Sequence, residues 1–368
     1  MSDAQITSSW SLIASAAGIT AGIISVFCGP AADARRKKVR LTALFTITGI
    51  LSCLAYLIPA LQTPTLILGI SFTGIMSFMA AGSFYDSLLI NISSPQERDK
   101  LSTTGYALGY AGGLCSFLLC LLSLSFSGGM EKFFTFSFLI SALWWFAGSL
   151  PLFCNVRETA RTAPAVPVKI TDTLKFIICN KNILCFLIAY FLYIDGVGTI
   201  LLAATPLAAG LDISTNMIMV TILMLQLIGL PATLFYGKLA EKYSARKMIY
   251  CAITVYIIIA VLVTIMSFCR DITVKQGLFF IVAFLVGTSQ GGIQALSRSF
   301  FSKIIPGERA AELFAVYNIF GKFTTIVGPV LIAAATLCWN KAELGITMLL
   351  LPFAAGFILL TKVKVPEN

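Results

Sequence analysis

Trp10–Lys38 reads WSLIASAAGITAGIISVFCGPAADARRKK. The nineteen residues from Trp10 to Cys28 carry no charge, and Arg35, Arg36, Lys37 and Lys38 follow across Gly29 and Asp33. About 20 apolar residues of helix cross the hydrocarbon core of a bilayer, and a basic cluster directly after such a run marks the cytoplasmic side. The leading segment, Met1–Ser9, holds Asp3 and no Lys or Arg. That polarity is the reverse of a secretory signal peptide, so the stretch predicts a membrane helix entering from outside.

The whole chain supports that reading. Its 368 residues are 58% hydrophobic and 11% charged, with a mean hydropathy of +0.92. A soluble domain carries roughly 45–50% apolar and about 25% charged residues, and this composition leaves too little polar surface to cover a ball in water. Soluble, disordered, fibrous and coiled-coil classes are excluded. The expected fold is all-α, a polytopic membrane helical bundle of 11 spans: Trp10–Cys28, Leu41–Leu61, Leu66–Ile90, Thr103–Phe126, Phe133–Cys154, Asn182–Ala204, Thr215–Tyr236, Met248–Phe268, Gly277–Ser297, Ala311–Thr336 and Leu344–Thr361. The longest linker, 155–181, contains Pro164 and Pro167 and five basic residues. It separates a bundle of five spans (1–154) from one of six (182–368).

Of the 26 Lys and Arg residues, 21 fall in loops after odd-numbered runs or in the C-terminal tail. The opposite loops hold Lys132, Arg270, Lys275 and Lys341, and Lys322 lies inside a run. By the positive-inside rule the crowded side is cytoplasmic, with the N-terminus outside and the C-terminus inside. The net charge of +10 then serves orientation and contact with anionic lipid rather than nucleic acid. No histidine is present, and the ten cysteines form no C-x-x-C pair. Zinc centres, Ser-His-Asp catalysis and histidine relays therefore lose an essential component. No G-x-x-x-x-G-K-S/T loop occurs, so ATP drive is not expected. No enzyme activity, cofactor or metal is expected, and a monomer is.

Two loops six helices apart resemble each other. Gly29, Asp33 and Arg36 in GPAADARRKK correspond to Gly237, Glu241 and the segment ahead of Arg246 in GKLAEKYSARK. Each places a Gly at a helix end, an acid four residues on, then a basic cluster. The Gly permits close backbone approach. The acid is suited to helix N-terminal amides or a neighbouring Arg, giving a charged latch.

These loops resemble the G-x-x-x-D-R/K-x-G-R-R/K pattern of the major facilitator superfamily, found there after helices 2 and 8. Both copies are degenerate: the later Gly is missing, and Glu241 replaces Asp. QGGIQALSRSFFSKIIPGERAAELFAVYNIFGK, residues 290–322, resembles the superfamily's vacuole-effluxer-like branch, meaning the fungal vacuolar amino-acid effluxer and its bacterial relatives. YDSLL from Tyr85, GYALGYAGG from Gly105 and DGVGTI from Asp195 fit the same branch. The resemblance implies two pseudo-symmetric halves and places the eleven runs as helices 2–12 of a 12-helix fold. The branch's first helix, with its YDWANS-like segment, has no counterpart here. Either the start lies upstream, or the gene is decayed, or the transporter works without it.

Ionisable groups inside a membrane are costly and mark pathways or structural pairs. Asp195 lies about 20 Å and Lys322 about 17 Å into their spans at 1.5 Å per residue, a similar depth. Either they form a static pair, or Asp195 carries a coupling proton while Lys322 holds an anionic group. Gln290 and Gln294 share one helix face and are candidates for a polar substrate or for interhelical contact. The resemblance places this helix on the cavity wall. Arg298 is a candidate cytoplasmic gate residue with Gly29, Asp33, Arg36, Gly237, Glu241 and Arg246. Asp86 is a candidate partner for a basic loop residue. Gly105, Gly109 and Gly113 form a stripe suited to tight helix packing.

The functional expectation is secondary active transport of a small polar solute, amino-acid-like by resemblance, coupled to a proton or ion and working by alternating access in a bacterial inner membrane. The alternative is a truncated, non-transporting relic or scaffold.

Overall fold

The computed structural model describes residues 3–158, 170–211, 213–322, 328, 330, 331 and 346–364. Among them the regular elements are helical: α1 (Asp3–Arg35), α2 (Lys38–Ala55), α3 (Pro64–Ser87), the single turn α4 (Leu89–Ile92), α5 (Arg98–Ser127), α6 (Met130–Asn155), α7 (Ile170–Cys179), α8 (Lys181–Gly210), α9 (Thr215–Tyr243), α10 (Ala245–Phe268), α11 (Ile272–Ile304), α12 (Ala310–Lys322) and α13 (Leu350–Thr361), with short 3-10 turns at Pro59–Leu61 and Gly307–Arg309. Helix is the form that satisfies every backbone N–H and C=O within one segment, which lipid demands. Among the described residues nine helices are long and apolar enough to cross a membrane. The runs expected at Ala311–Thr336 and Leu344–Thr361 fall partly outside the described residues, and α12 and α13 are their described portions.

Large side chains such as Leu12, Phe126, Leu143 and Phe268 are more than half exposed. In water such a surface would aggregate; against acyl chains it is the expected exterior.

The chain packs into two compact units, and each draws on both ends of the sequence. The first holds residues 1–92, 115–176 and 305–319. Here α3 packs on α1 and on α2, and α2 also packs on α6. Gly49 of α2 leaves room for the Trp145 ring of α6, which a Cβ there would strike, and Tyr56 stacks on Phe138 at 4.1 Å between centroids. The second unit holds residues 93–114, 177–304 and 320–368. Its α11 packs on α9 and α10, and α13 packs on α8. The core of α8 is closed: Phe186, Leu187, Tyr193 and Asp195 are fully buried.

The expected glycine stripe of α5 is not one uniform contact. Gly113 meets the Gln226 side chain, whereas the space beside Gly109 is open.

Candidate functional site: two polar latches and a buried carboxylate

In the first unit the end of α1 meets the start of α12. The Asp33 carboxylate accepts the backbone N–H of Ala311 at 2.7 Å and of Glu312 at 3.2 Å. The first N–H groups of a helix have no partner within it, and the helix dipole favours an anion there. The Lys38 ammonium sits 2.9 Å from the other Asp33 oxygen, with the two side chains 3% and 6% exposed. Lys38 also donates to Asn91 at 2.9 Å. Gly29 makes the approach possible, because a Cβ there would stand 2.7 Å from the Glu312 Cα and 2.9 Å from its nitrogen.

Arg36, expected among the gate residues, forms the turn between α1 and α2, with φ 53°. Asp86, expected to face a basic loop residue, accepts the Asn318 amide at 3.1 Å in this unit.

In the second unit the start of α5 meets the end of α11. Asp99 accepts from the Ser299 hydroxyl at 2.7 Å and the Lys303 ammonium at 2.6 Å. Arg98 donates to the Ser302 carbonyl at 2.7 Å, and the Ser102 hydroxyl to the Ala295 carbonyl at 2.6 Å. The Arg298 Nε donates to the Ser102 hydroxyl at 2.9 Å and its Nη2 to the Ser102 carbonyl at 3.3 Å. Its guanidinium stands 4.8 Å from the Tyr106 ring centre. Both arginines are under 10% exposed, so these charge-assisted bonds act with little water to compete.

The second loop copy contributes less than its likeness to the first implies. Gly237 does the work of Gly29: a Cβ there would press on the Thr103 side chain of α5, 3.0 Å from its Cβ. Glu241 is exposed, with no hydrogen bond or ion pair among the described residues. Arg246 donates to the Val363 carbonyl at 2.9 Å, tying α10 to the segment after α13. Ser244 takes the turn at φ 105° and caps Lys247 at 3.4 Å. Arg36 and Ser244 both stand seven residues after their loop glycine, where the resembled pattern carries its second Gly. Both take a positive φ, the region that glycine occupies at least cost.

Asp195 accepts the Gly328 N–H at 2.6 Å with its side chain fully buried. Ser297, the residue before Arg298 on α11, bonds the Tyr193 hydroxyl at 2.6 Å. Gln290 and Gln294 are half-buried on α11 and make no hydrogen bond among the described residues. Lys322 ends α12; its side chain, and hence the expected pairing with Asp195, lies outside what is described.

Sequence reasoning passed over Lys38, Arg98, Asp99, Ser102, Lys303 and Glu312. The signal for most of them was present. Arg98, Asp99, Ser102 and Tyr106 recur at one-turn spacing on α5, as do Arg298, Ser299, Ser302 and Lys303 on α11.

Long apolar helices, glycine-assisted crossings and buried polar latches make this a polytopic helical membrane protein, and its relatives place it among transporters of the major facilitator type. Among solved structures, the proton:xylose symporter XylE matches with a TM-score of 0.77 over 100% of this chain and 88% of that one, at 13% identity. A bacterial homologue of the iron transporter ferroportin matches with a TM-score of 0.71 over 98% and 91%, also at 13% identity. At that identity the likeness concerns the fold. More specifically, the chain belongs to the family described as vacuole effluxer Atg22 like, which matches residues 90–367. An uncharacterized MFS-type transporter, YxiO of Bacillus subtilis, is 32% identical over 92% of this chain and 80% of its own length. Autophagy-related protein 22 of Saccharomyces cerevisiae is 25% identical over 66% of this chain, which spans about half (53%) of that protein.

Proposed function

We propose that the chain is a secondary active transporter that moves a small polar, amino-acid-like solute by alternating access, driven by a proton or ion gradient, with its basic end in the cytoplasm. The observation that carries this reading is the composition of the latches. Each joins a helix from before the 155–181 linker to one from after it: α1 with α12, and α5 with α11. Bonds of that kind tie the two sequence halves together within each unit. A carrier must break them to open and remake them to close.

Asp33, Lys38 and Gly29 form one gate element in this reading, and Asp99, Lys303, Arg98 and Arg298 the other. Asp195, a buried carboxylate near mid-membrane depth, is the candidate coupling-ion residue. Gln290 and Gln294 are candidate substrate contacts.

The test is an uptake screen of radiolabelled amino acids into liposomes holding the purified protein, with and without an imposed proton gradient. Gradient-stimulated accumulation of at least one solute supports the proposal. If none accumulates above empty liposomes, the non-transporting alternative stands. For the Asp195→Asn protein, coupling predicts uptake that no longer responds to the gradient, and an unchanged response removes the coupling role.

A further inference from the structure

The helix start that binds Asp33 is held from a second side, by the linker. The Thr173 hydroxyl of α7 donates to the Glu312 carboxylate at 2.6 Å, with both side chains 1% exposed. Arg309 pairs with the same carboxylate, and its guanidinium lies 4.1 Å from the centre of the Phe176 ring of α7. Glu312 is thus bound twice: its backbone N–H goes to Asp33 and its side chain to the linker helix. Whatever positions α7 positions the first turn of α12, and with it the donors that Asp33 uses.

The outer surface of α7 shows what positions it. At 100° per residue, Thr173, Phe176 and Ile177 share the docked face. Leu174 and Ile178 lie together about 125° round from it, and they are 49% and 64% exposed. Lys175 is exposed beyond them on α7, and Lys181, the first residue of α8, is exposed two residues after α7 ends. The linker 155–181 as a whole has five basic residues against Glu158 and Asp172. An apolar edge flanked by lysines, on a short helix beside membrane spans, has the chemistry of a helix lying in the interface of an anionic leaflet.

We infer that α7 is a membrane-surface clamp on the gate: its Leu174–Ile178 edge and flanking lysines take an anionic phospholipid leaflet, and its docked edge thereby holds α12 onto Asp33. This rests on the transporter reading only for the word gate; the lipid dependence of the α1–α12 latch stands or falls separately. Anionic lipid favours the latched arrangement, and a zwitterionic membrane loosens it.

The test is hydrogen–deuterium exchange of the full chain in nanodiscs of phosphatidylcholine alone or with phosphatidylglycerol, read on peptides covering residues 305–312. The wild type is expected to exchange roughly fivefold more slowly in the anionic discs, the ratio that one lysine near a charged membrane surface supplies. Leu174→Ser with Ile178→Ser is expected to remove that difference. Lys175→Glu with Lys181→Glu, which touches only exposed positions, is expected to reduce it and guards against misfolding of the first variant. Equal exchange of the wild type in both discs overturns the clamp, as does a lipid effect that survives in both variants. Because no solute is involved, a failed uptake screen with intact lipid dependence removes the transporter reading and leaves the clamp. Uptake with no lipid dependence does the reverse.

Discussion

Arg36 and Ser244 hold φ values of 53° and 105°, a region where an L side chain crowds its own backbone and glycine does not. Substituting Arg36→Gly is therefore expected to stabilise the purified protein by about 1 kcal/mol, read as a raised thermal unfolding midpoint in detergent. The two loop acids differ more sharply than their sequences suggest. Asp33, 6% exposed and bound to two backbone N–H groups and Lys38, is expected to cost about 1.5–3 kcal/mol on change to Asn, the usual range for hydrogen bonds to a charged group. Glu241→Gln, at an exposed position without a described partner, is expected to stay within about 0.5 kcal/mol. The same melting measurement checks both. The acid-plus-basic-cluster pattern was legible in the sequence, and so was the preference of such an acid for helix N-terminal amides. What each acid meets was not, because that depends on the helix packed opposite. Asp33 finds the N–H groups at the start of α12, whereas the start of α5 brings its own acids: Glu97, which accepts from Ser94, and Asp99.

At the scale of elements, glycine decides which helices touch. The crossing of α1 with α12 runs over Gly29, and that of α9 with α5 over Gly237. A methyl group at Gly29 meets backbone that cannot swing aside, so Gly29→Ala is expected to destabilise by about 1–3 kcal/mol. Gly109→Ala adds its methyl to open space and is expected to change stability by under about 0.5 kcal/mol. Exchange rates of peptides from α12 and α5 distinguish a local loosening from global unfolding. The positions and types of the long helices followed from apolar runs alone, because a bilayer leaves the backbone little choice. Helix ends were less legible. α11 continues seven residues past the apolar run that stops at Ser297, carrying Arg298 and Lys303 into the latch. Charged residues read as loop are here the last turns of a helix, paired against α5, with Arg298 buried and Lys303 half-buried. The stripe of α5 glycines misled for a related reason: periodic spacing puts residues on one face without saying that a neighbour covers it.

For the whole molecule, composition already demanded lipid, and the order of apolar runs laid out the succession of long helices. The grouping of the folded chain could not be read off in the same way. The sequence divides naturally at the 155–181 linker, yet residues 93–114 pack with the later helices and residues 305–319 with the earlier ones. Those exchanged segments carry the latches, one within each unit, and in the proposed carrier these are the bonds released on opening. The direct test uses Gln294 of α11, replaced by Cys in a protein whose own cysteines are substituted, and measures its labelling by a membrane-impermeant maleimide applied from the basic end. The account predicts slow labelling when both latches are intact and at least tenfold faster labelling when Asp33→Asn and Asp99→Asn are combined. Labelling at the same rate with and without those two carboxylates would contradict it.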